Sequence, residues 1–321
     1  MLMPLEQPNE QLGEASPFLP DTNTQFAWDS TSLGWAKTCP RLYYYNMICG
    51  YRPKEESIHL RFGREYQAAL ELFDRYRAEG MDHTLAQTRT VRYLIKALAD
   101  YEEPHPEAKR SVMLKTRHNL IQAVIHHIEE YRDDRAKTVI KADGKPAVEL
   151  SFRFQLDYGP ASNQLYILCG HLDRVVSYGD DLFVLDHKTT ASTIGSYYFE
   201  RYNQDNQMTL YTIAGQVVLR SPIKGVIIDA VQLQVKGPKF DRGFTFRTED
   251  YLEEWMDDLH IHLRTFEGYA AADYWPQNDT ACDKFGGCRF REVCSMSPDS
   301  RRHILNSDFV KEARWNPLIT R

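Results

Sequence analysis

Apolar residues recur along this chain in two rhythms, and the change from one to the other divides it. The first rhythm is helical. A helix is expected from Ser30 to about Met47, capped near Asp29 or Ser30 and carrying Trp35, Cys39 and Tyr43 to Tyr45. A second runs from Phe62 to Arg77, and two more lie near 84–101 and 108–136. In the last, Val112, Met113, Leu120, Val124 and Ile128 recur among many polar residues. The stretch of about 80–140 therefore reads as a helical insertion ahead of a sheet.

The second rhythm is alternation. From Val148 to Leu156, Val148, Leu150, Phe152 and Phe154 share one face, with Glu149, Ser151 and Arg153 on the other. A turn at Tyr158 to Asn163 leads to a strand around Asp173, and a second at Ser177 to Asp181 leads to one around Asp186. A strand from Gly225 to Val235 is apolar on both faces, as a buried sheet position requires. A short strand at Phe244–Arg247 and a long helix from Thr248 to about Tyr269 follow. Between the strands, Leu210, Ile213, Ala214, Val217 and Val218 mark a further helix. The order predicts an α/β fold: a central mixed sheet flanked by helices, with a helical insertion and a Cys-rich C-terminal staple. Residues 1–25 read as a flexible tail, 26–300 as one domain, and 301–321 as a C-terminal tail.

The adjacent strands carry the candidate chemistry. The first reads Gly170-His171-Leu172-Asp173-Arg174-Val175 and the second Val184-Leu185-Asp186-His187-Lys188-Thr189-Thr190. Asp186 and Lys188 share a face by the strand period, and an antiparallel neighbour brings Asp173 alongside. His187 alternates to the other face and reads as structural. Two carboxylates and an ammonium suit Mg²⁺ or Mn²⁺ with a substrate phosphate. Taken alone, the same residues also suit a charged surface hairpin.

The six cysteines add a second signal. Cys282, Cys288 and Cys294 form Cys-x₅-Cys-x₅-Cys, and Cys39 is a remote fourth thiol. Four thiolates suit a 4Fe-4S cluster or a Zn²⁺ site, and spacing alone leaves both open. Cys49 and Cys169 read as core.

The paired phrases resemble motifs of the PD-(D/E)xK nuclease superfamily in its RecB-like branch, including phage-type members. Gln207-x-x-x-Tyr211 resembles that branch's helical motif, and the residues lie on one helix face. The resemblance implies a restriction-endonuclease-like core and a metal-dependent deoxyribonuclease, an exonuclease on single-stranded or end-bearing DNA. It implies that Asp173, Asp186, Lys188, Gln207 and Tyr211 form the catalytic set. Glu149 is implied as a further metal ligand. Gln67 stands in Gly63-Arg64-Glu65-Tyr66-Gln67 where the family has a histidine ligand, and its amide oxygen is a candidate metal ligand in that place. One cysteine before the core and three after it resemble the AddB-type and CRISPR spacer-acquisition nucleases, and imply iron–sulfur ligation by Cys39, Cys282, Cys288 and Cys294. The iron–sulfur segment would span 276–298 plus Cys39.

Composition trims these expectations. The 321 residues suit one domain with an insertion, and 42% hydrophobic content suffices for a core. A net charge of −6 excludes a uniformly basic surface, so DNA contact falls to local cations. Arg64, Lys236, Lys239 and Arg242 are the candidates, with Arg289 and Arg291 beside the cysteines. Thr189 and Thr190 are placed to cradle a phosphate. His126 and His127 read as a surface pair. No apolar run reaches membrane length and no secretion signal is visible, which fits a cytoplasmic protein with reduced thiols. No Walker phrase is present, so any motor would belong to a partner such as a helicase or recombination protein. The competing readings are a non-catalytic DNA-binding scaffold and a zinc-stapled structural protein.

Overall fold

The computed structural model describes residues 3–4, 16–161, 163–283 and 287–319. Residues 1–2 and 5–15 of the expected tail, Ser162 of the expected turn and 284–286 of the cysteine segment lie outside the described residues. The chain divides into two compact units, one of Glu56–Leu150 and His171–Thr248, the other of Met1–Glu55, Ser151–Gly170 and Glu249–Arg321.

The first of these opens with helices α1 (Ile58–Ala78), α2 (His83–Ala97) and α3 (Arg117–Glu130). Each buries one stripe: Phe62, Tyr66 and Leu70 from α1, Leu94 from α2, and Leu120, Val124 and Ile128 from α3 meet over Val231 and Leu233. Asp82 caps α2 by accepting the Thr84 and Leu85 amides. The single helix expected over 108–136 is two, a turn at Arg110–Met113 and then α3. Thr116 is extended and its hydroxyl accepts the Asn119 amide, so the helix restarts there.

The longer strands that follow are β1 (Val148–Gln155), β2 (Ile167–Tyr178), β3 (Asp181–Thr190), β4 (Gly225–Gln232) and β5 (Lys239–Phe246). β1 and β2 each run from one unit into the other. β2 and β3 are antiparallel with Arg174 opposite Leu185. β3 and β4 are parallel with Asp186 opposite Ile228, and β5 returns antiparallel with Arg242 opposite Asp229. The sheet is therefore mixed and flanked by helices, as the alternation predicts. All eight residues of β4 are buried, which explains its mostly apolar text, interrupted by Asp229 and ended by Gln232. The parallel pair needs a crossover, and α4 (Asn206–Leu219) supplies it, capped by Asp205. Gly215 lets α4 approach β3, since a Cβ there would lie 3.2 Å from Val184 Cγ2 and 3.0 Å from Ile223 Cγ1.

In the other unit, Asp29 caps the helix Ser30–Thr38. The helix expected to reach Met47 stops at Cys39, which is extended at φ −159°, ψ 111°. Pro40 is the cause: its ring disfavours helical backbone at the preceding residue. A short helix at Pro40–Tyr43 and a π turn at Tyr44–Ile48 follow. The long helix α5 (Glu249–Ala271) buries Leu252, Trp255, Leu259, Leu263 and Phe266. Phe266 and Tyr43 pack on Trp28 at ring distances of 5.4 and 5.6 Å. No helix among the described residues is long and apolar enough to cross a membrane.

Candidate active site

The β2–β3 pairing sets two carboxylates side by side. Asp173 is 4% exposed and Asp186 2%. Burial, then the neighbouring Asp186 charge, pushes the Asp173 carboxyl well above its usual range. Burial likewise raises Asp186. Lys188 Nζ lies 2.7 Å from Asp186 Oδ2 and donates to Gln207 Oε1 at 2.9 Å. Burial alone would lower this ammonium, but Asp186, Asp173 and Asp205 more than offset it, so its pKa is raised. Gln207 in turn donates to Tyr211 Oη at 2.9 Å. The four-residue spacing on α4 thus builds a relay that holds the Lys188 side chain of β3 toward α4.

The other flank comes from α1 and β1. Gln67 Nε2 donates to Asp173 Oδ1 at 2.6 Å and to Glu71 Oε1 at 3.2 Å. Its amide nitrogen, not its oxygen, faces the carboxylates. Gln67 is thus hydrogen-bonded to Asp173, and its amide oxygen is the atom that the resemblance would offer to a metal. The His187 amide donates to Asp173 Oδ2 at 3.2 Å. Glu71 shares a hydrogen bond with Glu149, which sits at φ +50° in the strand. Burial and Glu149 push the Glu71 carboxyl up to about 9. It carries a proton at neutral pH and can donate to Glu149. Sequence reasoning missed Glu71. The available signal is its position one helical turn after Gln67.

The buried Asp173 and Asp186 and the half-buried Glu149, with one ammonium among them, form an acidic set in which Asp173 feels both neighbours. A divalent cation relieves both the desolvation and the repulsion, so these residues fit one.

The remaining sequence candidates separate. Lys236 and Lys239 are exposed, at the end of β4 and the start of β5. That is the end at which Thr190 pairs with Gln232. Arg64 is occupied by ion pairs with Glu56 and Glu65. Arg242 is no free surface cation. It donates to Asp229 Oδ2 from Nε at 3.1 Å and Nη2 at 2.8 Å, and it binds both Asp134 oxygens. Its guanidinium also lies 3.7 Å from the Tyr131 ring centroid. His127, expected at the surface, is buried with Nε2 3.1 Å from Asp229 Oδ2. His187 faces the same carboxylate at 3.8 Å, away from Asp186 as alternation requires. Burial pushes its imidazole down to about 3. Burial would raise Asp229, but His127 and Arg242 hold it far below its usual range. These two histidines and the aspartate have the donor types of a metal site. Arg242 already supplies the compensating charge, so the cluster is a structural ion-pair network.

In the other unit, Cys39 accepts the Asn278 amide at 3.4 Å, and the Cys288 amide donates to the Cys282 carbonyl at 2.8 Å. The Cys288 thiol is raised by burial and also feels Cys39 and Cys282. Cys294 is raised by burial and feels Cys288 and Cys39. Electrostatic contact therefore links Cys288 with Cys39, Cys282 and Cys294, and Cys294 with Cys39. Cys169 is buried against the Trp28 carbonyl, and Cys49 is half-buried. Arg289 lies over the Trp35 ring and Arg291 pairs with Asp283.

Comparison with known proteins places this arrangement. A profile of the PD-(D/E)XK nuclease superfamily matches residues 30–295. Among solved structures, the "Putative exonuclease" of Eubacterium rectale is similar at 12% identity and a TM-score of 0.49, covering 80% of this chain and 86% of its own. The protein SSO0001 is similar at 12% identity and a TM-score of 0.35, covering 90% and 91%. No curated protein matches. The chain belongs to the PD-(D/E)XK nuclease superfamily.

Proposed function

We propose that this protein is a Mg²⁺- or Mn²⁺-dependent deoxyribonuclease of the RecB-like branch, an exonuclease on single-stranded or end-bearing DNA. The observation that carries the reading is the buried Asp173–Asp186 pair with Lys188 clamped between Asp186 and Gln207. Asp173 and Asp186, aided by Glu149, would hold the metal. When bound, such an ion supplies Lewis-acid stabilisation and lowers the pKa of a water. Lys188 is held as an ammonium, which suits neutralising charge on a phosphate oxygen better than taking a proton from water. Gln207 and Tyr211 position that ammonium, and Gln67 and the His187 amide orient Asp173. Lys236 and Lys239 are exposed cations for the DNA backbone, and Arg64, exposed but ion-paired, is a further one.

The family-like order of Cys39, Cys282, Cys288 and Cys294, one before the core and three after it, supports a 4Fe-4S cluster over zinc. Such thiolates need a reducing compartment, which fits the cytoplasm. A helicase or recombination protein is the proposed partner, in repair, recombination or phage DNA metabolism. The test is anaerobic purification followed by digestion of 5′- and 3′-labelled single- and double-stranded DNA with Mg²⁺ or Mn²⁺. Stepwise shortening from one end supports the reading. Cleavage at internal sites of closed circles opposes the exonuclease part.

A further inference from the structure

The segment joining the two helical pieces of the insertion carries a lysine that the reaction scheme above does not use. Lys115 is 2% exposed. Its Nζ donates to Thr189 Oγ1 at 3.1 Å and lies 4.3 Å from the Phe62 ring centroid. Among the described residues no carboxylate pairs with it. Burial pushes its ammonium down to about 8. A buried cation without a counter-charge is costly, and such groups concentrate at functional sites. The backbone around it is pinned. Tyr101 Oη donates to the Lys115 carbonyl at 2.7 Å, Asn119 Nδ2 donates to the Leu114 carbonyl at 3.0 Å, and Thr116 caps α3.

Thr189 directly follows Lys188 and is half-buried. Its hydroxyl has one proton and two acceptor positions. Because Lys115 occupies an acceptor position, the hydroxyl proton is left for another group. The uncompensated charge behind it makes an anion the favoured acceptor. We propose that Lys115 and Thr189 form a phosphate subsite beside the Asp186–Lys188 centre, in which the Thr189 hydroxyl contacts a backbone phosphate of the bound strand and Lys115 positions and polarises it. This rests on the nuclease reading. Lys115 is here a positioning residue, and the helical insertion becomes part of the strand-binding surface.

The experiment compares wild type with Lys115→Met, Thr189→Val, Thr189→Ser and the Lys115→Met/Thr189→Val double variant on a single-stranded oligonucleotide. KM, kcat and Tm are measured at several salt concentrations. Lys115→Met and Thr189→Val are each expected to raise KM about tenfold, equivalent to about 1.4 kcal/mol, with kcat little changed. The double variant should be no worse than either, and Thr189→Ser should stay near wild type. Lys115→Met should lower the salt slope of binding by about 0.7. Its Tm should hold or rise, since a costly buried charge is removed, whereas a structural strut would lose Tm. A substrate with one methylphosphonate at the contacted position should bind wild type as weakly as Lys115→Met binds normal DNA. Wild type that cleaves while Lys115→Met and Thr189→Val keep its KM overturns this inference alone. Additive losses in the double variant also overturn it. A wild type that cleaves no DNA brings down the nuclease reading itself.

Discussion

Lys188 is the residue on which the site turns, because it is the cation between two buried carboxylates and the amide of Gln207. Replacing it with Met should cut kcat by about 10²–10³, the usual loss when one preorganised charge stabiliser is removed, while DNA still binds. Rapid-quench kinetics beside a binding titration would show this. Equal losses in both would mean that Lys188 only holds the fold. Glu71 gives a pH prediction. Its folded pKa is raised from 4.5 to about 9, so its contribution to stability is complete below about pH 4.5 and is lost as pH rises toward 9. Metal-free protein should therefore melt lower at pH 8 than at pH 6. Glu71→Gln should flatten that trend and raise Tm at pH 8 by a few degrees. An unchanged slope in calorimetry would contradict the assigned protonation. Asp173, Asp186, Lys188, Gln207 and Tyr211 were legible because each lies within a local phrase whose period sets its direction. Glu71 and Lys115 were not, since their roles depend on partners far along the chain. Arg242 misled for the same reason: its basic surroundings are visible in the sequence, but its pairing with Asp134 and Asp229 is not.

At the scale of elements, α4 transmits packing to chemistry. Gly215 sets its distance from β3, and Gln207, two turns earlier, sets Lys188. Gly215→Val should cost about 1–3 kcal/mol through overpacking. It should also lower kcat without touching the site, because α4 is pushed from the strand that carries Lys188. Melts and kinetics on the same preparation test this, and lost stability with full kcat would uncouple the two. β1 and α4 follow from apolar period, and β4 is plain in its Val-Ile-Ile text, but β5 begins at Lys239, five residues ahead of the strand expected at Phe244–Arg247. The helix breaks were harder to see. Cys39–Pro40 carries a readable stop signal that the surrounding apolar pattern outweighs. The break before α3 arises where Thr116 finds a cap and Lys115 turns to Thr189, a tertiary choice invisible to periodicity.

For the whole molecule, the cysteines and the carboxylate centre belong to different units, so their losses should be separable. Cys39→Ser, prepared without oxygen, should lose the visible absorbance and iron of a cluster, and should destabilise the unit that holds Cys282, Cys288 and Cys294. Cys169→Ser should keep both iron and colour. Iron analysis and visible spectra decide this, and bound zinc in colourless wild type would replace the cluster with a zinc staple. The central claim is that Asp173 and Asp186 serve a metal-dependent cut of DNA. The most direct measurement is cleavage of end-labelled DNA by wild type and Asp186→Ala, matched for cluster content and fold, across a Mg²⁺ and Mn²⁺ titration. Metal-dependent cleavage by wild type that Asp186→Ala lacks is the expected result. Cleavage of equal rate in both, or none from well-folded wild type at any metal concentration, would contradict it.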